Sequence, residues 1–205
     1  MPGLGLMNVY GATELTSPAT IMPADQTAAR RLSVGLPAPG VEICVMDDSG
    51  REVPQGEAGE LWIRGAMVVP GYWRNPEADA REFVAGFWKS GDIGSVDADG
   101  FVHVFDRKKE MINRGGHKIY TAMVESVLTA WPGVVEAAVI PRPCPILGER
   151  VHAVVTIKPG MVAEDDLRHH CAGQLSDYQC PETYLLTTDP LPRNANGKIM
   201  KRSLA

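Results

Sequence analysis

The segment at residues 8–15, "NVYGATEL", carries side chains whose types and spacing could hold a nucleotide. Tyr10 offers a flat ring on which a base could stack, and Gly11 permits a tight turn. Thr13 offers a hydroxyl to a phosphate, and Glu14 offers the hard carboxylate oxygen that Mg²⁺ binds. An ordinary surface loop could carry the same residues, so this segment alone is a weak indication of a nucleotide site.

Two later segments add further candidate groups. Asp92 in "FWKSGDIG" follows a Ser-Gly turn at the start of a predicted strand. An acid there can accept hydrogen bonds from a ribose diol, or it can simply cap the turn. The segment "FDRKKEMINRGGHKIY" combines the cations at 107–109 with Gly115-Gly116, which would let a ligand pass close to the backbone. A solvated linker, a patch for acidic partners and a plain turn remain open for this segment.

The C-terminal segment "LPRNANGKIMKR" contains Asn196-Gly197, a strong turn signal. This turn should present Lys198 on a projecting loop. A single exposed lysine is more often a solubilising charge than a functional group. Lys198 is therefore a candidate functional residue only in combination with the other segments.

The elements that must position these groups differ between the two halves of the chain. Gly and Pro punctuate the first 110 residues, with strands expected at 41–47 and 60–65. "DIGSV" and "FVHVF" flank a turn at 97–100 and predict a hairpin. A short helix should begin after Asn75 as N-cap, with Pro76 in its first position. This half is predicted to be a small, mostly antiparallel, β-barrel-like or sandwich structure.

The second half is predicted to be a compact α+β domain. "TAMVESVLTAW" has an apolar stripe at helical spacing, with Thr121 as its expected cap. A second helix is expected at 163–175, and strands at 134–141, 150–159 and 183–188. The run of charges at 107–110 is typical of an exposed linker. We therefore expect domains at residues 1–109 and 110–205.

Composition excludes several function classes. The 205 residues carry a formal net charge of −5, which argues against a nucleic-acid partner. No apolar run reaches the ~20 residues of a transmembrane segment, and the start has no signal-peptide pattern. A metal site at "HHC" (169–171) with Cys180 fits no zinc spacing and is more simply a polar helix face. These features predict a soluble, cytoplasmic protein.

Taken in order, these segments resemble the C-terminal part of the adenylate-forming (AMP-binding) enzymes. That family includes acyl-CoA synthetases, aryl-CoA ligases, luciferases and the adenylation domains of peptide synthetases. "GELWIRGAMVVPGYW" at 59–73 is a fifth segment similar to the family. The resemblance covers essentially the whole chain and is specific, because five separated motifs agree in their order.

The resemblance implies a role for each matching residue of the first half. Tyr10, followed by Gly11, would stack on adenine, and Thr13 would touch the phosphates. Glu14 would help to hold Mg²⁺. Asp92 would bind both ribose hydroxyls.

The resemblance also implies roles for four residues further along the chain. Arg107 would assist Asp92, and Lys109 occupies the family's hinge position. Gly116 lies in the segment that lines the pantetheine channel. Lys198 matches the lysine that bridges carboxylate and phosphate.

The implied reaction has two steps. A small carboxylic acid attacks the α-phosphate of ATP, which gives an acyl-adenylate and pyrophosphate. The thiol of CoA then attacks the acyl carbon and releases AMP. ATP, Mg²⁺ and CoA are therefore expected, and the domain at 110–205 is expected to rotate about Lys109 between the steps.

The family's Gly- and Thr/Ser-rich phosphate loop and most of its acyl pocket precede the Tyr-Gly-x-Thr-Glu motif, and this chain contains neither. It is therefore expected to be a C-terminal fragment that is inactive without an N-terminal part of the same enzyme. The alternatives are the adenylation domain of a peptide synthetase and a non-catalytic interaction module.

Three segments depart from the family pattern. Ser90 replaces the usual Thr before Gly-Asp and keeps the hydroxyl, and "MVE" keeps only Glu125 of the usual Glu-Ile-Glu. Asp106 replaces the Gly that usually precedes the hinge Arg and could alter the turn there. None of these changes removes a catalytic group.

Overall fold

The computed structural model describes residues 5–204 and divides the chain into two compact units. The first unit ends at Lys108 and the second starts at Lys109. Each unit has its own sheets and its own apolar clusters. The rotation of the second unit about Lys109 stays a prediction.

The first unit is built from short strands and one short helix within residues 5–108. In chain order they are β1 (Val9–Tyr10), β2 (Thr20–Ile21), β3 (Leu36–Pro37), β4 (Glu42–Met46), β5 (Gly59–Arg64), α1 (Pro76–Glu82), β6 (Phe83–Val84), β7 (Phe87–Val96) and β8 (Val102–Arg107). One sheet has the order β1-β2-β3, and the other has the order β4-β5-β7-β6 with β8 paired to β7. The pairs in both sheets are antiparallel, and among residues 5–204 no sheet closes into a barrel. The mixture of helices and antiparallel strands agrees with the predicted class, whereas the barrel-like detail is not confirmed.

Local sequence explains why α1 begins and ends where it does. The side chain of Asn75 accepts a hydrogen bond from the Ala78 backbone N–H at 3.2 Å, and Pro76 starts the helix. Both predictions are confirmed. The helix ends at Glu82 because Phe83 turns to extended geometry and pairs with Trp88, which the helical pattern did not indicate.

The second unit places two helices against one sheet. In chain order its elements are β9 (Ile112–Arg114), β10 (His117–Ile119), α2 (Thr121–Thr129), β11 (Val134–Cys144), β12 (Gly148–Ile157), α3 (Glu164–Ala172) and β13 (Thr183–Thr187). The sheet has the order β10-β9-β12-β11, and β13 pairs with β12 in parallel. This agrees with the predicted α+β arrangement. Thr121 is the first residue of α2 and not its cap, since Tyr120 holds the cap position.

The two faces of the second sheet bury different partners. Val139 on β11 and Val155 on β12 belong to the cluster that also contains Val124 and Leu128 of α2. The alternate residues Ala138, Ile140 and Val154 pack with Leu191, Ile199 and Leu204 of the C-terminal segment. Successive side chains of a strand point to opposite faces of the sheet. The helices therefore pack on one face of this sheet, and the C-terminal segment packs on the other.

Replacing Leu128 by alanine should destabilise the second unit by about 3 kcal/mol, because a fully buried leucine leaves a cavity. Leu185→Ala is a matched control, since Leu185 is 53% exposed in the same unit. Amide hydrogen exchange at β12 should report the loss. Equal changes in the two variants would contradict the assignment of the core.

Candidate functional site

The first unit brings Tyr10, Asp92 and Arg107 together. The register of β7 and β8 places Asp92 directly opposite Arg107. The Arg107 Nε lies 2.8 Å from Asp92 Oδ1, and the Tyr10 hydroxyl donates to Asp92 Oδ2 at 2.5 Å. Three residues that sequence reasoning selected from separate segments therefore meet around one carboxylate.

The turn before Asp92 fixes the position of this group. The Asp92 backbone N–H donates to the Ser90 hydroxyl at 3.0 Å, and Arg107 Nη1 donates to the Ser90 carbonyl at 3.1 Å. Gly91 has a φ of +70°, which favours glycine. The Asp92 side chain is only 7% exposed, whereas that of Arg107 is 46% exposed. A buried carboxylate is thus held by an arginine that still reaches solvent.

Asp106 lies beside the register shift of the β7–β8 pairing, where Ile93 pairs with Asp106 and Gly94 pairs with Val104. It is buried within β8, and its side chain accepts a hydrogen bond from the Arg107 backbone N–H at 2.8 Å. The acid therefore supports the strand residue that pairs with Asp92.

Burial, together with the charge and the hydrogen bond of Asp92, raises the pKa of the Tyr10 hydroxyl above its ordinary value of 10.0. Tyr10 should therefore stay a hydrogen-bond donor to Asp92 at pH values where a free tyrosine ionises. Because the pKa of Tyr10 is higher in the folded than in the unfolded protein, the protonated hydroxyl stabilises the fold below the unfolded pKa. This stabilisation is lost as the pH rises through the folded pKa.

In a pH titration followed by NMR of labelled tyrosine rings, Tyr10 should still be protonated near pH 11, where an unperturbed tyrosine has mostly titrated. The Asp92→Asn change should lower this pKa, and a wild-type midpoint near 10 would contradict the buried hydrogen bond.

The residues after Tyr10 form a tight turn. Thr13–Leu15 is a single 3-10 turn whose last residue is fully buried, while Thr13 is exposed and Glu14 is half-buried. A Cβ on Gly11 would lie 3.3 Å from Pro18 Cα and from the Ser17 carbonyl oxygen. The close approach of the two backbone segments explains a glycine here. Leu15 anchors the turn in the core, while Thr13 stays exposed.

In the second unit, Lys198 lies on the predicted loop. The Asn194 backbone N–H donates to the Lys198 carbonyl at 2.9 Å, and the Gly197 N–H donates to the Asn194 carbonyl at 2.9 Å. The Asn194 side chain accepts from the N–H groups of Asn196 and Lys198 at 3.0 Å each. The turn at Asn196-Gly197 is confirmed, and Lys198 is exposed. A hydrogen-bonded loop therefore carries this ammonium.

The second unit also brings Lys109 and Lys198 to one cleft. The cleft has a volume of about 510 Å³, with Val139, Ile140 and Pro141 on its apolar side. Sequence reasoning had placed the two lysines at a hinge and at a loop without joining them. This shared cleft is the main feature of the candidate site that the sequence did not predict.

Gly115 and Gly116 form the turn between β9 and β10. Their φ angles are +60° and +91°, and the Gly116 N–H donates to the Asn113 side chain at 3.1 Å. A Cβ on Gly116 would meet open space. The pair is a hairpin turn with an exposed backbone, which fits both a plain turn and a ligand-facing surface.

Residues 2–73 match the family model described as AMP-binding enzyme, and residues 123–198 match the one described as AMP-binding enzyme C-terminal domain. The chain belongs to the adenylate-forming, AMP-binding family. The long-chain-fatty-acid–CoA ligase of Yersinia pestis is 36% identical over 204 residues, which make up 100% of this chain and 36% of the ligase.

Solved members of the AMP-binding family show the same likeness. The o-succinylbenzoate CoA synthetase of Bacillus subtilis, in complex with its acyl-adenylate intermediate, matches with a TM-score of 0.93 and 32% identity. That match covers 98% of this chain and 41% of the synthetase. The same synthetase in complex with ATP and magnesium ion gives a TM-score of 0.90 and 32% identity, over 97% of this chain and 41% of the other. The chain thus spans well under half the length of these relatives.

Sequence reasoning missed the residues that hold Glu14 in this AMP-binding chain. The Tyr72 hydroxyl donates to Glu14 Oε1 at 3.0 Å, and Trp88 Nε1 donates to the Tyr72 hydroxyl at 3.3 Å. The Val69 N–H also donates to the Glu14 carbonyl at 2.9 Å. Tyr72 lies in the segment at 59–73 that carries part of the resemblance, and this was the available signal.

Two negative findings apply to the described part of the chain. Among residues 5–204, no group of three His, Cys, Asp or Glu side chains could hold a metal ion. Cys171 lies in the core instead, and His170 contacts the Val127 carbonyl at 2.9 Å. No helix in the same range is long and apolar enough to cross a membrane.

Proposed function

We propose that this chain supplies the ribose site and the mobile catalytic domain of an AMP-forming acid–CoA ligase. The observation that carries the proposal is the buried Asp92 carboxylate held between Tyr10 and Arg107, in a chain whose relatives are CoA ligases. ATP, a small carboxylic acid and CoA are the proposed substrates of the whole enzyme.

Asp92 is suited to bind the ribose of ATP. Carboxylate oxygens accept hydrogen bonds from hydroxyl groups, so the Asp92 carboxylate is the group proposed to accept from the ribose hydroxyls. The Tyr10 ring is half-buried against the apolar cluster of Ile63 and Trp88, which would fix its plane for stacking on adenine. The rigid support of each group would reduce the entropy lost on binding.

Thr13 and Glu14 fit a metal-bound triphosphate. The Thr13 hydroxyl can donate a hydrogen bond to a phosphate. The Glu14 carboxylate offers the type of oxygen that Mg²⁺ takes as a ligand. A magnesium ion held by Glu14 would neutralise phosphate charge. Tyr72 would orient Glu14 for this task through its hydrogen bond.

Lys198 is proposed to act in the first step. An anionic carboxylate must approach an anionic phosphate, and an ammonium between them lowers the repulsion. Because Lys198 is exposed, its ammonium is available to the reacting groups and is not buried within the second unit. Its position is set by the hydrogen bonds of Asn194.

The second step is proposed to use another face of the same unit. Rotation about Lys109, at the start of the unit, would withdraw Lys198 and present the Gly115-Gly116 turn to CoA. The open space at Gly116 would allow the pantetheine arm to pass close to the backbone. The domains at 1–109 and 110–205 are the proposed moving parts.

ATP–pyrophosphate exchange tests the proposal. The 205-residue chain should be combined with a polypeptide that carries the preceding part of the family's large domain, and exchange should be measured with a panel of acids. Exchange followed by thioester formation on addition of CoA is the expected result. Exchange without any thioester would favour a peptide-synthetase adenylation domain, and no exchange with any acid would favour a non-catalytic module.

A further inference from the structure

A partly buried cation lies three residues beyond Lys198. The Nζ atom of Lys201 donates to the Thr121 hydroxyl at 2.8 Å and lies 2.7 Å from Glu125 Oε1 and 3.2 Å from Glu110 Oε2. The Lys201 side chain is 19% exposed. An ammonium has three donors, and here they reach two residues of α2 and Glu110, which precedes β9.

The carboxylates around this ammonium are themselves fixed to the core. Glu125 lies on α2, and its Oε1 accepts the Val139 N–H of β11 at 2.7 Å. Burial alone would lower the pKa of Lys201, but the charges and hydrogen bonds of Glu125 and Glu110 outweigh it and raise that pKa. Lys201 is therefore a charged link between the C-terminal segment and the helix–sheet core.

The link joins the segments that carry the two lysines of the cleft. Lys201 follows the Lys198 loop directly, and the Met200 N–H donates to the Pro192 carbonyl at 2.7 Å. Glu110 follows Lys109 directly. One ammonium thus ties the base of the Lys198 loop to the residue next to Lys109, and all four residues line the same cleft.

We propose that Lys201 is a positioning residue that holds the Lys198 loop and the start of the second unit in a fixed relation. The catalytic consequence rests on the proposed function of Lys198, whereas the anchoring itself does not. Removing the ammonium would leave two carboxylates close together and partly buried, which disfavours the observed arrangement. The loop would then sample positions away from the cleft.

The anchoring is tested on the 205-residue chain by amide exchange. In Lys201→Met, the N–H groups of Asn194, Lys198 and Met200 should exchange at least tenfold faster than in the wild type, while β12 amides change less than threefold. Lys201→Arg should restore slow exchange, because it returns a cation to the two acids. Lys158→Met is the matched control, since Lys158 is exposed in the same unit, and it should change nothing.

The catalytic consequence is tested in the complemented enzyme. Lys201→Met should lower kcat of adenylate formation at least tenfold with KM for ATP changed less than twofold, and Lys201→Arg should recover most of the rate. Fast loop exchange with undiminished kcat would overturn the positioning role and leave the proposed function standing. Absence of adenylation in the wild type would overturn the proposed function. The amide-exchange data would still show whether Lys201 anchors the Lys198 loop. The anchoring role would be overturned if all amides of the Lys201→Met variant exchanged faster to the same degree, or if no amide exchanged faster.

Discussion

Replacing Lys198 by alanine should slow acyl-adenylate formation a hundredfold or more in the complemented enzyme. Loss of one preorganised charge at a developing anionic centre costs about 3 to 4 kcal/mol. Thioester formation from supplied acyl-adenylate should barely change, because that step starts at a neutral acyl carbon and the second unit is proposed to have rotated by then. The measurement is a separate assay of each half-reaction.

Two further variants separate a catalytic role of Lys198 from a structural one. Lys109→Pro removes a backbone N–H and fixes φ at the proposed hinge, so it should impair the second step more than the first. Lys158→Ala removes an exposed lysine of the same unit and should affect neither step. Equal losses in both half-reactions for Lys198→Ala would mean that this lysine supports structure, or that the unit does not rotate.

The Asp92→Asn change should weaken AMP binding to the complemented enzyme by about a hundredfold. Hydrogen bonds to a charged acceptor contribute about 1.5 to 3 kcal/mol each, and the amide would replace an acceptor of two ribose hydroxyls by a group that is half donor. The change also removes the carboxylate that pairs with Arg107 at 2.8 Å. Isothermal calorimetry with AMP gives the dissociation constant.

Asp99→Asn is the matched control for Asp92. Asp99 lies at the other end of the β7–β8 hairpin and pairs with Arg30, but its side chain is 65% exposed. An exposed ion pair contributes little, so AMP binding should be unchanged. Comparable losses in the two variants would place the ribose elsewhere. Unchanged binding in Asp92→Asn would do the same.

The hairpin of β7 and β8 was accessible from sequence because it is local, whereas the pairing of Asp92 with Arg107 was not. Apolar alternation on both sides of a four-residue turn fixes the register of a hairpin. A register shift between Ile93 and Gly94 then moves Asp92 from the position opposite Asp106, where regular pairing would put it, to the position opposite Arg107. The chemical roles of these residues came from the family resemblance, since neither residue type nor spacing distinguishes a ribose acceptor from a capping aspartate.

The supports of the site were not accessible, because they depend on contacts between distant segments. Tyr72 and Glu14 are 58 residues apart, and Lys201 and Thr121 are 80 residues apart. Thr121 has the residue type of a helix cap, yet it begins the helix and accepts a hydrogen bond from Lys201. Tertiary packing decided these positions, and local patterns do not encode it.

The covering of the second sheet has a consequence for how its parts open. Proteins unfold locally in cooperative segments, and a segment held by few buried side chains opens at lower free energy than the core. The stretch from Leu191 to Leu204 adds only a few apolar side chains to its face of the sheet, while α2 and α3 bury the larger cluster on the other face. Lys198 therefore lies on the part of the unit whose local opening is expected to cost less free energy than unfolding of the helices and sheet, and the contacts of Lys201 with Glu110 and Glu125 oppose that opening. Its freedom to move is set by the layer that carries it as well as by any rotation of the whole unit.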